Sequence, residues 1–338
     1  MPSRRRTLFA GLGAAIAGGL STRAPAQTPI TRGFTIGAGP IGGTYFPVAS
    51  LVATVVSNPP GGRTCEAGGN CGVPGLVAEA VATQGSVENV RKIVEGGLDS
   101  AFAQADIAAA AAAGGDAFAG KPLTQLRALA NLFAETVHVV ARRDRGFGSV
   151  ADLRGHSVSL GQKQSGTLPI ARAVLAAYGL GPRDIDSRYL SPQAGTQAIR
   201  EGEIDAFVFV AGQPAPLLVG LSKQLDLDLL PVSTFVIAKL RRERPWMTTL
   251  TVPAGVYQGV ESRDALAIGA QWLAPAAADE ELIYGTVRAL FHPSVRGRLE
   301  RGHPAAAQIR LDNAIEGLAV PLHPGAARFY RERGILKD

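Results

Sequence analysis

Residues 34–47 read FTIGAGPIGGTYFP and join a short apolar run to a glycine-rich loop and then to a helical pattern. The pattern predicts a strand over residues 34–36 and a helix over about residues 46–56. A glycine-rich loop between a strand and a helix leaves backbone N–H groups unpaired where the helix begins. The helix dipole adds positive potential at the same point, so this loop favours an anion or a carboxylate.

A second copy of this arrangement lies in the middle of the chain. A predicted strand over residues 157–160 again runs into a glycine-bearing loop, which ends at Gly166-Thr167 as the first loop ends at Gly43-Thr44. Farther along, EGGLDS at residues 95–100 resembles EGEIDA at residues 201–206. The repeated order predicts two related lobes rather than one sheet, with both loops at strand ends that face a shared cleft.

Polar residues that follow a further strand of each lobe complete the predicted site. Gln104 and Asp106 follow a strand over residues 98–102, and Gly212 follows an apolar strand over residues 206–210. Asp106 is placed to accept a hydrogen bond from a ligand ammonium, and its alternative role is to cap the alanine-rich helix. The predicted ligand-binding residues are Gly43, Thr44, Tyr45, Ser86, Gln104, Asp106, Ser165, Gly166, Thr167, Phe209 and Gly212.

Several of these residues also have simpler structural interpretations. Ser86 is a good N-cap for the helix that follows it. The glycines of either loop also serve tight turns. Tyr45 and Phe209 are interpreted either as walls of the pocket or as core side chains.

Composition and charge exclude some classes of protein. Apolar residues make up 46% of the 338-residue chain and charged residues 18%, which suits about two globular domains and excludes a disordered chain. The formal charge is +6, and it falls to +2 without the arginines of residues 1–26, which are Arg4, Arg5, Arg6 and Arg23. So small an excess argues against a nucleic-acid partner.

The N-terminal residues have the pattern of a targeting segment. Paired arginines precede an apolar stretch over residues 8–20, and Ala24-Pro25-Ala26 has the small-x-small form of a signal peptidase site. We predict a cleavable export signal over residues 1–26, of the twin-arginine type, and a soluble periplasmic protein that begins near Gln27. The alternatives are a basic N-terminal anchor and a misassigned start.

The two cysteines, Cys65 and Cys71, flank a short glycine-rich loop. In an oxidising compartment this spacing predicts a disulfide. A metal site is the alternative, but no histidine lies near the pair in sequence, and two thiolates alone are a poor zinc site. We therefore expect no metal.

The motifs of common enzymes are not supported. Residues 37–42 formally match GxGxxG, but the predicted helix begins too late for the third glycine to pack it against the strand. Gly120-Lys121 is followed by Pro122, where a phosphate-binding loop needs Ser or Thr. The sequence contains no GxSxG or HExxH, and its histidines are scattered. We predict a protein that is not an enzyme and has no cofactor.

Taken in order, these motifs resemble the TAXI family, the extracytoplasmic solute receptors of TRAP transporters. The resemblance spans nearly all of the chain after the export signal. The family more often has Gln-Ser-Asp where this chain has Gln104-Ala105-Asp106. The motifs that carry the resemblance are IGAG at residues 36–39, GGTYFP at 42–47, GSVEN at 85–89, AQAD at 103–106, SGT at 165–167, GEIDAF at 202–207 and VAG at 210–212.

The resemblance implies a fold and a function. The fold class is α/β, a two-lobe clamshell like the type II periplasmic binding proteins, with each lobe a mostly parallel sheet flanked by helices. A small carboxylate-bearing ligand, such as a glutamate-like amino acid or an organic acid, would be trapped between the lobes. The partner would be an integral membrane TRAP permease, and the receptor would be a monomer. The alternatives are a sensor partner of a membrane kinase and an exported enzyme acting on a small carboxylate.

The expected domain boundaries follow from the same pattern. Lobe one comprises residues 27–140 plus 250–338, and lobe two comprises residues 141–249. Residues 126–133 and 137–141 predict two strands, the second of which enters the hinge. The other hinge crossing is expected at residues 248–252.

Overall fold

The structure is a computed structural model that describes residues 31–337. The predicted export signal over residues 1–26 and the predicted start at Gln27 therefore lie outside the described residues.

A ten-stranded mixed sheet forms the centre of the molecule. Its hydrogen-bonded order is β4-β1-β5-β12-β6-β9-β7-β8, with β10 also paired to β6 and β11 to β12, while β2 and β3 form a separate pair. The strands are β1 (Arg32–Gly37), β2 (Ser57–Asn58), β3 (Val73–Pro74), β4 (Leu76–Val81), β5 (Ser100–Gln104), β6 (Leu126–Arg142), β7 (Ser157–Ser159), β8 (Asp186–Arg188), β9 (Ala206–Ala211), β10 (Leu227–Leu229), β11 (Met247–Val252) and β12 (Arg263–Pro275).

Helices flank this sheet. Helix α1 begins directly after the first glycine-rich loop and α4 directly after the second, as the sequence predicts. The helices are α1 (Tyr45–Val56), α2 (Ser86–Val94), α3 (Ala105–Ala113), α4 (Thr167–Ala177), α5 (Pro192–Glu201), α6 (Pro216–Ser222), α7 (Thr234–Glu243), α8 (Glu280–Leu290), α9 (Arg296–Gly302) and α10 (Pro324–Glu332).

The sheet has two parallel ends joined by antiparallel strands. Strands β4, β1 and β5 are parallel, and with α1–α3 and α8–α10 we call them the first half. Strands β9, β7 and β8 are also parallel, and with α4–α7 they form the second half. The long antiparallel strands β6 and β12 lie between them.

The pairing of the strands differs from the prediction that each lobe has its own sheet. The two lobes were predicted as separate sheets, but the hydrogen bonds continue from one half to the other. Strand β6 has 17 residues, which corresponds to roughly 55 Å of extended chain. One strand of that length crosses both halves, and it replaces the two strands predicted at residues 126–133 and 137–141.

Each half has its own apolar core. In the first half, α1 packs Val48 and Val52 against a cluster that contains Trp272. In the second half, Val174 of α4 and Val208 of β9 belong to a different cluster. All six residues of β9 are buried, which confirms the prediction of an apolar strand covered on both faces. This is the mixed α/β architecture, with helices flanking the sheet, that the sequence predicts.

Core packing also bears on the expected lobe boundaries. Val252, Tyr257 and Ala265 pack into a cluster of the second half, although residues from 250 onward were assigned to lobe one. Leu266 and Ile268 join the other cluster of that half. The division into lobes stays a prediction, and these contacts favour extending lobe two to about residue 268 because apolar packing defines a folding unit.

The starts of α2 and α3 differ from the sequence prediction in which residue is the N-cap. Ser86 is the first residue of α2 and not its N-cap, which is Gly85 at a φ of 121°. Few residues other than glycine adopt that backbone conformation. Asp106 lies in the first turn of α3, whose N-cap is Gln104. Neither Ser86 nor Asp106 therefore has the capping role that was its structural alternative.

Candidate ligand-binding site

A cavity lies between the two halves, at the ends of the parallel strands. The volume open to the centres of water-sized molecules is about 60 Å³, several times what one water molecule requires. We call it the central cavity. The predicted site residues that line it are Gly43, Thr44, Tyr45, Ser86, Gln104, Ser165, Gly166, Thr167 and Phe209.

Three helices begin at the wall of the central cavity. These are α1 with N-cap Thr44, α2 with N-cap Gly85 and α4 with N-cap Gly166. In these three helices the N-cap residue makes no side-chain hydrogen bond to the first turn, and we call such a start uncapped. By contrast, Ser233 and Asp279 cap α7 and α8, which begin elsewhere. Uncapped helix starts from both halves give the cavity a positive potential, which suits an anionic guest.

Direct contacts close the gap between the halves. The Gly212 N–H after β9 donates a hydrogen bond of 3.1 Å to the Thr44 hydroxyl oxygen. The Glu88 N–H of α2 donates to the Gln164 carbonyl oxygen at 3.2 Å. The structure therefore shows a closed arrangement of the two halves. Gly212 is not among the residues that line the cavity, and in this arrangement its N–H binds Thr44; its role toward a ligand stays a prediction.

Gly166 is the tightest point of this closure. A Cβ on Gly166 would collide with the Gln104 side chain of the first half and would lie 2.9 Å from the Ser86 hydroxyl oxygen. Gly166 has helical backbone angles, with φ −73° and ψ −19°. Its glycine identity thus serves close approach between the halves and not an unusual backbone conformation.

The two serines of the predicted site already have hydrogen-bond partners. The Ser86 hydroxyl oxygen accepts a hydrogen bond of 3.1 Å from the Gln104 N–H. The Ser165 hydroxyl donates to the Gln162 carbonyl oxygen at 2.7 Å and accepts from the Leu168 N–H at 3.4 Å. Ser165 therefore shapes the second loop, while its neighbour Gly166 presents the uncapped helix start to the cavity.

Tyr45 connects the first loop to a buried acid that sequence reasoning missed. Its hydroxyl donates a hydrogen bond of 2.7 Å to Oε2 of Glu135 on β6. Its ring packs edge-on against Phe102 and Phe133 at centroid distances of 5.7 and 6.1 Å. Tyr45 is therefore both a core side chain and part of the cavity wall.

Glu135 lines the cavity and is almost fully buried. Burial is the main cause that raises its pKa from 4.5 to about 8, while the Tyr45 hydroxyl opposes the shift. The sequence pattern assigns Glu135 to a connection between two predicted strands. The available signal was a single acid within a long apolar run, and the run continues through it as one strand.

Asp106 does not line the central cavity, although it was predicted to bind ligand. It is buried in the first turn of α3. Burial raises its pKa from 3.8 to about 7, and the nearby Ile107 amide opposes this shift. Within residues 31–337 neither carboxyl oxygen has a hydrogen-bond partner of good geometry. Asp106 therefore lies behind the cavity as a second buried acid.

The remaining wall is polar but carries little charge. Within the described chain, no lysine or arginine lines the central cavity, and Glu135 is its one ionisable carboxyl. Gln104 Oε1 is buried there without a partner among the described residues. Lining residues that sequence reasoning missed besides Glu135 include Gly39, Gln84, Ser159, Gly161, Gln162, Ser191 and Phe207. Most follow strand ends, which is the signal that could have found them.

The cysteines form the predicted disulfide between Cys65 and Cys71. Tertiary folding also brings His292 close, with Nε2 3.9 Å from the Cys65 sulfur. The Ser294 N–H donates to Nδ1 of this histidine, so Nε2 carries the proton and is not free to bind a metal. The disulfide and this tautomer both disfavour a metal site here.

Across the part of the chain that the structure describes, no helix has the length and apolar character needed to cross a membrane.

Several solved structures share this fold. The periplasmic binding protein BugD matches with a TM-score of 0.52 at 11% identity, covering 91% of this chain and 99% of its own. MatC from Rhodopseudomonas palustris, solved with bound malate, matches with a TM-score of 0.50 at 15% identity over 80% of this chain and 88% of its own. The sulphonate-binding protein SsuA from Escherichia coli gives 0.45 at 16% identity, over 89% and 83%. The matches to BugD and MatC show that this chain has the fold of the periplasmic solute-binding proteins.

A family model matches almost all of the described residues. It is described as the NMT1-like family and covers residues 36–334, from β1 to the end of α10. Both glycine-rich loops and every residue that lines the central cavity fall within this range. The chain belongs to the NMT1-like family.

Proposed function

We propose that this protein is a periplasmic receptor that captures a small carboxylate-bearing solute between two lobes and delivers it to a TRAP-type membrane permease. The solute would be a glutamate-like amino acid or an organic acid. The observation that carries the proposal is the convergence of uncapped helix starts from both halves on one closed cavity. The resemblance to the TAXI family supports the permease class.

The chemistry of the wall supports an anionic guest. Backbone N–H groups at the starts of α1, α2 and α4 are donors that need no lysine or arginine to hold a carboxylate. The Thr167 hydroxyl adds a further donor from the second half. MatC, which shares the fold, holds malate, a small dicarboxylate. A guest of that size suits a cavity of this volume.

The arrangement supports binding without chemical transformation. Catalysis of group transfer needs a nucleophile with a base within hydrogen-bond reach. The Ser86 hydroxyl oxygen contacts the Gln104 N–H, and the Ser165 hydroxyl donates to a carbonyl oxygen, so neither is paired with a base. Closure would trap the guest because contacts from both halves form only in the closed state.

A thermal-shift screen of the mature chain tests the proposal. The panel contains succinate, L-malate and L-glutamate, with alkylamines and neutral sugars as controls. A ligand at 100 times its Kd stabilises the folded state by about 2.7 kcal/mol. We expect at least one acid to raise the Tm and the controls to leave it unchanged. A rise with sugars or amines only would contradict the carboxylate assignment.

A further inference from the structure

Glu135 is the unusual residue of the central cavity. The cavity attracts anions through three helix starts, yet the one carboxyl side chain that lines it among the described residues is an acid on β6. That side chain is 3% exposed. The Tyr45 hydroxyl donates to Oε2, which leaves Oε1 as the atom that can carry a proton.

Among the residues that the structure describes, the groups around Glu135 offer no compensating positive charge. Tyr45 from α1 and the Gln104 amide from β5 are neutral donors, and Asp106 from α3 is a second buried acid that acts against ionisation. On β6 itself, burial lowers the pKa of His138 to about 4. His303, after α9, has its pKa lowered by burial as well. Both histidines are therefore neutral at pH 7.

Several charged side chains on the other helices that pack against β6 are paired with each other, and Arg91 of α2 donates to the Ala117 carbonyl oxygen at 2.6 Å. Glu88 and Lys92 pair within α2 at 2.7 Å. Glu281 of α8 pairs with Arg328 of α10 at 2.6 Å. Opposite Glu135 on β12 lies Ile268, an apolar neighbour. An ionised Glu135 would thus be a buried charge without a counter-ion, which is strongly unfavourable.

We propose that Glu135 is a neutral carboxylic acid in the closed cavity and donates a hydrogen bond to the anionic group of the guest, so that the protein takes up a proton from solvent with each guest. The anionic guest is the part that rests on the proposed function. Glu135 would determine specificity, because a neutral acid accepts an anion that an ionised one would repel. Protonation also lets an acid and an anion share one dry site.

The direction in which affinity depends on pH follows from the pKa of Glu135 in the open state and in the closed state. An open, hydrated Glu135 would titrate near its ordinary pKa of 4.5, whereas closure raises the pKa to about 8. Between these values the closed state binds one more proton than the open state. Affinity is therefore greatest at low pH, and the Kd rises by up to about tenfold for each pH unit until it levels off above pH 8.

The test is calorimetric titration of the full mature chain with succinate, L-malate and L-glutamate between pH 6 and 8. Two buffers of different ionisation enthalpy give the number of protons taken up. Glu135→Gln is the matched variant, because its amide still donates a hydrogen bond but does not titrate. Glu135→Leu removes the donor at similar volume, and circular dichroism verifies the fold of both variants.

We expect the Kd of the best acid to rise by up to about a hundredfold from pH 6 to pH 8 in the wild type. E135Q should bind without this slope, and Glu135→Leu should bind far more weakly. A flat wild-type profile would overturn the proposal, as would a folded E135Q that binds no acid, because an ionised carboxylate would then be needed.

A second measurement tests the protonation of Glu135 even if the proposed function is wrong. If none of the three acids binds the wild type, the infrared band of a protonated carboxyl decides the state of Glu135 in crystals of the closed, unliganded chain. A band at pH 7 that is lost in E135Q supports the neutral acid. Absence of that band overturns it.

Discussion

The two glycine-rich loops begin alike and contribute differently. Each is followed by a helix whose third residue is proline, Pro47 in α1 and Pro169 in α4. Proline is tolerated there because its missing N–H would have no partner within the helix. In the first half, Tyr45 then reaches Glu135 and Thr44 binds the other half. The second loop instead brings the bare backbone of Gly166 against Gln104.

This difference separates the tasks of the two halves. Both halves line the cavity with polar side chains, but only the first half reaches the carboxyl of Glu135, through the Tyr45 hydroxyl. The second half adds apolar walls such as Phe207 and Phe209. The two acids whose pKa is raised by burial also lie outside the second half, Asp106 on α3 and Glu135 on the shared strand β6. A repeated backbone motif can therefore support an asymmetric site, because side chains differ where backbones agree.

The largest expected effect on affinity comes from disturbing the contact between Gly166 of the second loop and the first half. Gly166→Ala keeps an allowed backbone but places a methyl group against Gln104, so the halves should not close fully. Overpacking of this kind costs about 1–3 kcal/mol, which corresponds to a loss of affinity on the order of a hundredfold at the upper end. Calorimetry with the best acid of the panel measures it.

Gly220→Ala is the matched control for this variant. Gly220 lies in α6 of the same half, and a Cβ there would meet open space. Its affinity should stay at the wild-type value. If Gly166→Ala also bound like the wild type, the second loop would not approach the first half as closely in the bound state.

The second largest effect is expected on stability and concerns Asp106, a buried acid of the first half. Because the folded pKa of Asp106 is raised from 3.8 to about 7, its contribution to stability is complete below about pH 4 and is lost as pH rises to 7. Asp106→Asn removes this loss, so at pH 8 the free energy of unfolding should increase by on the order of 2 kcal/mol.

Urea unfolding at pH 4 and pH 8 checks the Asp106 prediction. The gain should be much smaller at pH 4, where Asp106 is neutral in the folded state and partly protonated in the unfolded state. An equal change at both pH values would show that side-chain packing, and not ionisation, causes it.

A smaller effect is expected at the contact that Thr44 makes across the cleft. Thr44→Val keeps the shape of the side chain but leaves the Gly212 N–H without its acceptor. Leaving a buried donor unpaired costs about 1–3 kcal/mol, so binding of the best acid should weaken about tenfold. Thr167→Val gives the comparison, because its hydroxyl should act on the guest and not on Gly212.

The kinetics of binding separate these two threonines. Thr44→Val should raise the dissociation rate of every acid that binds, since it loosens closure itself. Thr167→Val should weaken the acids unequally. If both variants lost the same affinity for every acid of the panel, the distinct roles assigned to Thr44 in closure and to Thr167 in guest binding would be wrong.

The smallest effect on binding is expected from the disulfide loop between Cys65 and Cys71, which lies in the first half. Removing the disulfide with Cys65→Ser and Cys71→Ser should lower the free energy of unfolding by about 2 kcal/mol, the value for a short closed loop. Affinity should change less than about twofold, because neither cysteine lines the central cavity. Calorimetry and urea unfolding under identical conditions measure both, and a large loss of affinity would connect this loop to closure.

Local pattern was enough to predict much of the fold. Ser191 and Pro192 predicted the start of α5, and the Ser191 hydroxyl oxygen accepts from the Ala194 N–H as an N-cap should. The prediction failed at β6, because it ended one strand at residue 133 and began the next at residue 137, which left Glu135 in the connection between them. A buried acid is tolerated within a strand only when distant groups satisfy it, and no local rule identifies those groups.

The sequence by itself determined most of the strands, the two glycine-rich loops, the starts of α1, α4 and α5, and the cysteine pairing, because each depends on backbone preferences and neighbours within a few residues. Only the tertiary structure decided that Tyr45 meets Glu135, that Gly212 holds Thr44, and that Asp106 lies behind the cavity. These contacts join residues that are far apart in sequence. They form only after the chain has folded and the two halves have closed, so short-range patterns do not contain them.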